Sequence, residues 1–201
     1  MDKKEKLERL KEKIQKDLSL PLRKGARNLV FGEGNSNADI LFIGEGPGYW
    51  EDQKARPFVG NAGSLLNKLL QMIKLERDNT FITNIVFFRP PNNRDPLPEE
   101  INAFRPYLDE IIEIIDPKII ITLGRFSMGK FIQNVFISSV HGRTFHIKWN
   151  GKDKIVIPMY HPAAALRNGD IMDKLKNDFL KISDVLKAEK EKITFDQMEL
   201  I

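Results

Sequence analysis

Between Gly44 and Gly60 the chain reads GEGPGYWEDQKARPFVG, a mixture of glycines, carboxylates and aromatic rings that is compatible with three chemistries. The first is a phosphate cradle, because GEGPG is a loose version of a dinucleotide fingerprint. The glycines of that fingerprint open a helix directly, so that the helix N-terminus meets the pyrophosphate. Here Pro47 and about a dozen residues without periodicity precede the next helical pattern, and no GK[ST] follows to complete a P-loop. The second is a metal site, for which Glu45, Glu51 and Asp52 would supply oxygen ligands to magnesium. Carboxylates beside a phosphate cradle would repel the anion it holds, and no metal is expected. The third is a pocket for a flat ring: Phe58, between Pro57 and Val59-Gly60, is either a core residue or a stacking platform.

Other residues at the ends of apolar runs bear on that choice. Asn84 follows an apolar strand pattern, where a buried amide must find partners, and its carboxamide donates and accepts together, as the edge of an amide-like ring requires. His161, paired with Pro162, ends another such run and is placed to donate to developing negative charge. His141, in SVHGRTF, reads as a loop residue, and His146 as part of a hairpin strand with a structural role.

These residues need a scaffold that brings strand ends together. ADILFIGEGPG, NTFITNIVF, PKIIITLG and DKIVIPMYH read as strands. NAGSLLNKLLQMIKL, PEEINAFRPYLDEIIEII, RFSMGKFIQNV and DIMDKLKNDFLKISDVLKAEK read as helices between and after them. The alternation predicts an α/β fold, a three-layer α/β/α sandwich around a central, mainly parallel four-stranded sheet. Ligands of such sheets bind beyond the carboxyl ends of the strands, where GEGPG, TNIVFFRPPNNRDP, LGRFS and YHPAAALRN all fall. A basic N-terminal helix over 2–18, with Leu7, Leu10, Ile14 and Leu18 on one stripe, is expected to dock on the body. Residues 1–190 are expected to form one domain and 191–201 a mobile tail.

Composition narrows the function class. With 201 residues, 41% of them apolar, the chain can bury one sizeable core. No run approaches the roughly 18 apolar residues of a membrane span, and the charged N-terminus is unlike a signal peptide; an intracellular, soluble protein without membrane contact is expected. Residues 1–28 hold ten Lys/Arg against five Asp/Glu, which is +5 in a chain whose net charge is +4. That distribution fits either an anionic partner or a solvated helix face. The chain has no cysteine, which excludes disulfides and thiolate-held metals.

Taken together, FGEGN, ADILFIGEGPGYWED, RPFVGNAGSLLNKLL, FITNIVFFRPPNNRDPLPEEI, FRPYL, LGR and YHPAAALRN resemble the uracil-DNA glycosylase superfamily, and most closely its thermostable family-four branch. They follow in family order and spacing from about residue 17 to residue 185. The resemblance implies an enzyme that flips deoxyuridine out of single- or double-stranded DNA and hydrolyses its N-glycosidic bond in base-excision repair. By the same resemblance Phe58 stacks on uracil and Asn84 reads its amide edge. The Glu45-Gly46 turn brings a carboxylate and backbone N–H groups to ring and sugar, Glu51 stands near C5, and His161 donates to O2. Water activation falls to Glu45 or Asn84, since Gly46 stands where the best-known branch has an aspartate. Leu166 is a candidate wedge or an ordinary loop residue, and Arg167 and Arg89 are candidate DNA contacts. A glycosylase for hypoxanthine or xanthine, a weak or silent DNA binder, and the branch that traps the sugar on a histidine, here His141, are the alternatives.

Family-four enzymes carry an iron–sulfur cluster on four cysteines, and at the corresponding positions this chain has Asp17, Leu20, Phe88 and Phe104. No cofactor is therefore expected. Leu20, Phe88 and Phe104 are expected to fill the cluster's volume as an apolar plug, and Phe104 falls in register with Ile101, Leu108, Ile111, Ile112 and Ile115 on a helix.

Overall fold

The structure is a computed structural model that describes residues 1–198, with side chains of the last helix described as far as Leu186. In chain order the elements are α1 (Lys3–Lys16), β1 (Glu33–Gly34), β2 (Ile40–Gly44), α2 (Tyr49–Lys54), α3 (Asn61–Met72), β3 (Phe81–Asn84) and α4 (Pro98–Ile115). They continue with β4 (Ile119–Leu123), α5 (Arg125–Gly129), α6 (Ile137–Val140), β5 (Phe145–Trp149), β6 (Lys152–Met159), α7 (Pro162–Ala165) and α8 (Gly169–Met198). The expected tail at 191–201 lies outside the residues whose side chains are described.

The sheet has six strands in the order β1-β3-β2-β4-β6-β5, not four. Its centre is the expected parallel set, β3, β2, β4 and β6. The two additions are antiparallel edges, β1 against β3 and β5 against β6. The two residues of β1 are too few to show a period, and β5 alternates half-buried with exposed residues as a one-faced edge strand does. That strand carries His146, so the hairpin reading holds, but the sequence argument left it out of the sheet.

Alternation along β2 explains the two cores. Leu41 and Ile43 join α1 and α4 on one face, while Ile40 and Phe42 join α3 and α8 on the other, because successive strand residues point to opposite sides. On α1, Leu7, Leu10 and Ile14 are buried against α4. Leu18 departs from the expected stripe and is 80% exposed, since the helix stops at its C-cap Asp17 and the periodicity ends there. The helix expected over RFSMGKFIQNV is likewise cut to Arg125–Gly129, and by Asn134 the backbone has a positive φ. The stretch after GEGPG, read as aperiodic, contains the short helix α2.

The connection leaving β2 runs to α3 on one face, whereas those leaving β3 and β4 lead to α4 and to Phe126 on the other. The carboxyl end of β2 is therefore a topological switch point, where such sheets open a crevice.

Candidate active site

A cleft of about 360 Å³ opens at that switch point, and Glu45, Gly46, Glu51, Phe58, Asn84, His161 and Arg167 all line it. Residues from four separate stretches of sequence thus meet in one place. A second cavity of about 260 Å³ beside α5 is lined by Ile85, Ile101, Leu108 and Phe126 together with Arg105, Arg125 and Lys130, and none of the predicted site residues reaches it.

Asn84, the last residue of β3, is 1% exposed. Its Nδ2 has no hydrogen-bond partner in the protein, a condition that costs about 1–3 kcal/mol for a buried polar group. Gly44, beside it on β2, keeps this part of the cleft open: a Cβ there would run into Asn84 Oδ1 and come within 2.7 Å of the Phe58 ring.

Phe58 is buried but is not simply core, because its φ of +50° is left-handed, a conformation disfavoured for a bulky residue. The surrounding loop imposes it. Glu51, on α2, accepts through Oε1 from the N–H groups of Val59 at 2.9 Å and Gly60 at 2.8 Å. A Cβ on Gly63 in α3 would collide with the Phe58 carbonyl. The Glu51 carboxylate therefore does structural work in presenting the ring, a function that the motif did not disclose.

His161 faces Phe58 with ring centroids 5.7 Å apart and planes 28° from parallel. It is the N-cap of α7, and its Nδ1 accepts from Ala163 N–H at 3.1 Å. An accepting Nδ1 leaves the ring proton on Nε2 as a donor. Burial pushes the His161 pKa down to about 4; Glu51 opposes the shift and Arg167 adds to it. The imidazole is neutral at pH 7.

Glu45 turns across the sheet from β2, and its Oε1 accepts from Phe126 N–H at the start of α5 at 3.0 Å. Its pKa is raised, first by burial and then, against the Phe126 hydrogen bond, by the negative charge of Asp95. Asp95 lines the same cleft and pairs with Arg125 at 2.6 Å. Sequence reasoning passed over Asp95 and its neighbours Asn93 and Arg94, although RPPNNRDP stood at a strand end. Arg94 grips Glu100 with two bonds of 2.6 and 2.8 Å, which pins this loop to α4.

The remaining predictions divide. Arg167 lines the cleft, and Leu166 beside it is 48% exposed at the end of α7. Arg89 is outside the lining; its Nε donates to Asn93 Oδ1 at 2.6 Å and its guanidinium lies over the Tyr49 ring. His141 is also outside, bonded through Nδ1 to the buried Asp178 at 2.6 Å and packed on the Tyr160 ring.

The positions that resemble cluster ligands form a separate region. Leu20, Phe88 and Phe104 are buried in one hydrophobic cluster, with Phe88 and Phe104 ring centroids 6.1 Å apart. Asp17 instead accepts from Ser19 Oγ at 2.5 Å, from Tyr107 Oη at 2.5 Å and from Ser19 N–H at 3.0 Å, interactions that lower its pKa. One carboxylate and three hydrocarbon side chains do not fit an iron–sulfur cluster, whose irons need thiolates. Among the described residues no cluster of three or more His, Asp or Glu is arranged to hold a metal ion. No helix among them is long and apolar enough to cross a membrane.

Residues 31–187 match the family described as the uracil DNA glycosylase superfamily. The chain belongs to that superfamily. It is 46% identical to the type-4 uracil-DNA glycosylase of Sulfurisphaera tokodaii, over 89% of this chain and 84% of that protein. It is 43% identical to the type-4 uracil-DNA glycosylase of Archaeoglobus fulgidus, over 88% and 91%. The type-4 uracil-DNA glycosylase of Thermotoga maritima is 40% identical over 91% and 96%. The cleft belongs wholly to the superfamily match, because every residue from Glu45 to Arg167 falls inside it.

Proposed function

We propose that this protein is a monofunctional uracil-DNA glycosylase that takes deoxyuridine out of the stack, breaks its C1′–N1 bond and leaves an abasic site. The observation that carries this reading is the buried, unpartnered Nδ2 of Asn84 in a cleft walled by Phe58 and His161. A uracil seated there offers its O4 to Nδ2 and its N3–H to Oδ1, which removes the penalty of the orphan amide. Phe58 stacks on the ring. As the bond breaks, its electrons pass to the base, and His161 Nε2–H donates to O2, where negative charge grows. A preorganised donor of this kind is worth about 3–4 kcal/mol of barrier. A neutral imidazole suits the role because it keeps its Nδ1 bond to Ala163 throughout.

The water that adds to C1′ must lose a proton, and Glu45, with its raised pKa, is the group proposed to take it. The second Glu51 oxygen stands beside the base, where it obstructs the methyl group of thymine. Arg167 holds a phosphate and Leu166 fills the vacated stack. The enzyme works as a cytosolic monomer without an iron–sulfur cluster, with Leu20, Phe88 and Phe104 filling that volume; purified protein is expected to contain no iron and to show no cluster absorbance. His141, held by Asp178 outside the cleft, gives no support to covalent trapping of the sugar.

The test uses labelled oligonucleotides carrying uracil, hypoxanthine or xanthine, followed by alkaline cleavage of abasic sites. Strand cleavage from uracil alone is expected. Cleavage only from hypoxanthine or xanthine would replace uracil as the substrate, and none from any of the three would leave a DNA binder.

A further inference from the structure

Tyr49 and Trp50 are large aromatic residues left 48% and 56% exposed, and both neighbours in the chain, Gly48 and Glu51, line the cleft. Single exposed apolar residues are ordinary on a protein surface. This is a pair in contact, with ring centroids 5.1 Å apart and planes nearly perpendicular at 79°. The Arg89 guanidinium lies 5.2 Å from the centre of the Tyr49 ring, and Arg89 is tied to Asn93, which also lines the cleft. The Trp50 indole edge lies against Gly60, next to the Phe58 loop. Two rings and a cation are thus held at the mouth of the cleft by its own walls, yet none of them enters it.

Resting on the glycosylase reading, we propose that Tyr49, Trp50 and Arg89 form a stacking platform for an unpaired nucleobase next to the flipped deoxyuridine, with Arg89 against the adjoining phosphate. Exposed rings beside a cation are the combination that binds single strands without regard to sequence, since every base has a π-face. Bases inside a duplex are already stacked and paired and cannot lie on such a surface. The platform therefore favours uracil in single-stranded DNA over uracil in a duplex. A protein partner would use the same rings without regard to strandedness, and this separates the two.

The chain has two tryptophans, so Trp149→Phe leaves Trp50 as the sole tryptophan, whose emission is read with excitation beyond the tyrosine band. A uracil-free single-stranded oligonucleotide is expected to quench that emission saturably, and the matching duplex to quench it weakly. In the otherwise unchanged chain, the double variant Tyr49→Ala/Trp50→Ala is expected to weaken single-strand binding about tenfold by fluorescence anisotropy, within the range for loss of a stacked base. Duplex binding should stay within twofold. Equal losses for both strands, no loss for either, or no quenching overturns the platform. Uracil release by the unmodified protein on the same strands is read separately. Quenching without release sinks the glycosylase reading and leaves the platform standing, whereas release with no strand-selective loss sinks the platform alone.

Discussion

Asn84 and His161 are the side chains on which the proposed chemistry turns. Asn84→Ala removes an amide whose Nδ2 has no partner within the protein, so on the proposed reading kcat is expected to fall at least tenfold with little change in thermal stability. His161→Ala should lower kcat at least as much. Steady-state kinetics with melting curves checks both, and a loss of folding in place of kcat would give the residues back to the core. Glu45 needs a finer test, because it both lines the cleft and accepts from Phe126 N–H. Glu45→Gln keeps an oxygen for that N–H and cannot take a proton. A fall of about 100-fold in kcat at unchanged melting temperature is expected for a general base, whereas a purely structural carboxylate would leave kcat nearly intact. His161 also makes stability depend on pH. Its pKa of about 4 lies below the unfolded value of about 6.5, so the unfolded chain takes up a proton first as pH falls. The His161 contribution is then complete above about pH 6.5, declines between 6.5 and 4, and is flat below. The difference amounts to about 3 kcal/mol, and urea unfolding of the protein and His161→Asn at pH 7 and 4.5 measures it.

Elements act by holding these residues at fixed distances. β2 and β3 lie parallel with Gly44 opposite Asn84, and a methyl group at Gly44 would enter the space between Asn84 and Phe58. Gly44→Ala is therefore expected to abolish most activity by closing the cleft against Asn84 and Phe58, although no polar side chain of the site is removed. Helix α4 shows the same dependence in the core. Phe104 is fully buried and meets both Phe87 and Phe88, and Phe104→Ala should cost about 3–5 kcal/mol, lowering the melting temperature by about 10 °C in a domain of this size. Differential scanning calorimetry decides it, and an unchanged transition would remove the apolar plug as the support of this region. The plug was legible in the sequence because Phe104 falls on the buried stripe of α4. The capping of the Phe58 loop by Glu51 was not, since no periodicity connects a residue on α2 with the backbone eight and nine residues later.

At the scale of the whole molecule, the lysines at the start of α1 and the cleft are set apart, while Arg94 and Arg167 line the cleft. Lys3 donates to the carbonyl of Ile115 at the end of α4, just before β4 begins, so the first turn of α1 sits near the amino-terminal ends of the parallel strands, whereas the cleft lies at their carboxyl ends. Reversing Lys4 and Lys6 to Glu is accordingly expected to leave the salt dependence of DNA binding unchanged. Arg167→Gln, at the cleft, should reduce the slope of log K against log salt by about 0.7–0.9. Titrations at several ionic strengths separate the two sites; a smaller slope for the lysine variant would show α1 to be part of the DNA surface.

The sequence by itself determined the alternation of strands and helices, the two-sided burial of the sheet, the loss of every thiolate ligand, and the residue types that converge on the cleft. These are properties of spacing and composition, and periods of 2 and 3.6 record them locally. Only the tertiary structure decided that Glu51 holds the Phe58 loop while Glu45 accepts from Phe126 N–H, that Asn84 Nδ2 lacks a partner in the protein, that Leu18 is exposed, and that two edge strands complete the sheet. Each of these depends on atoms far apart in the chain, or on elements too short to carry a period.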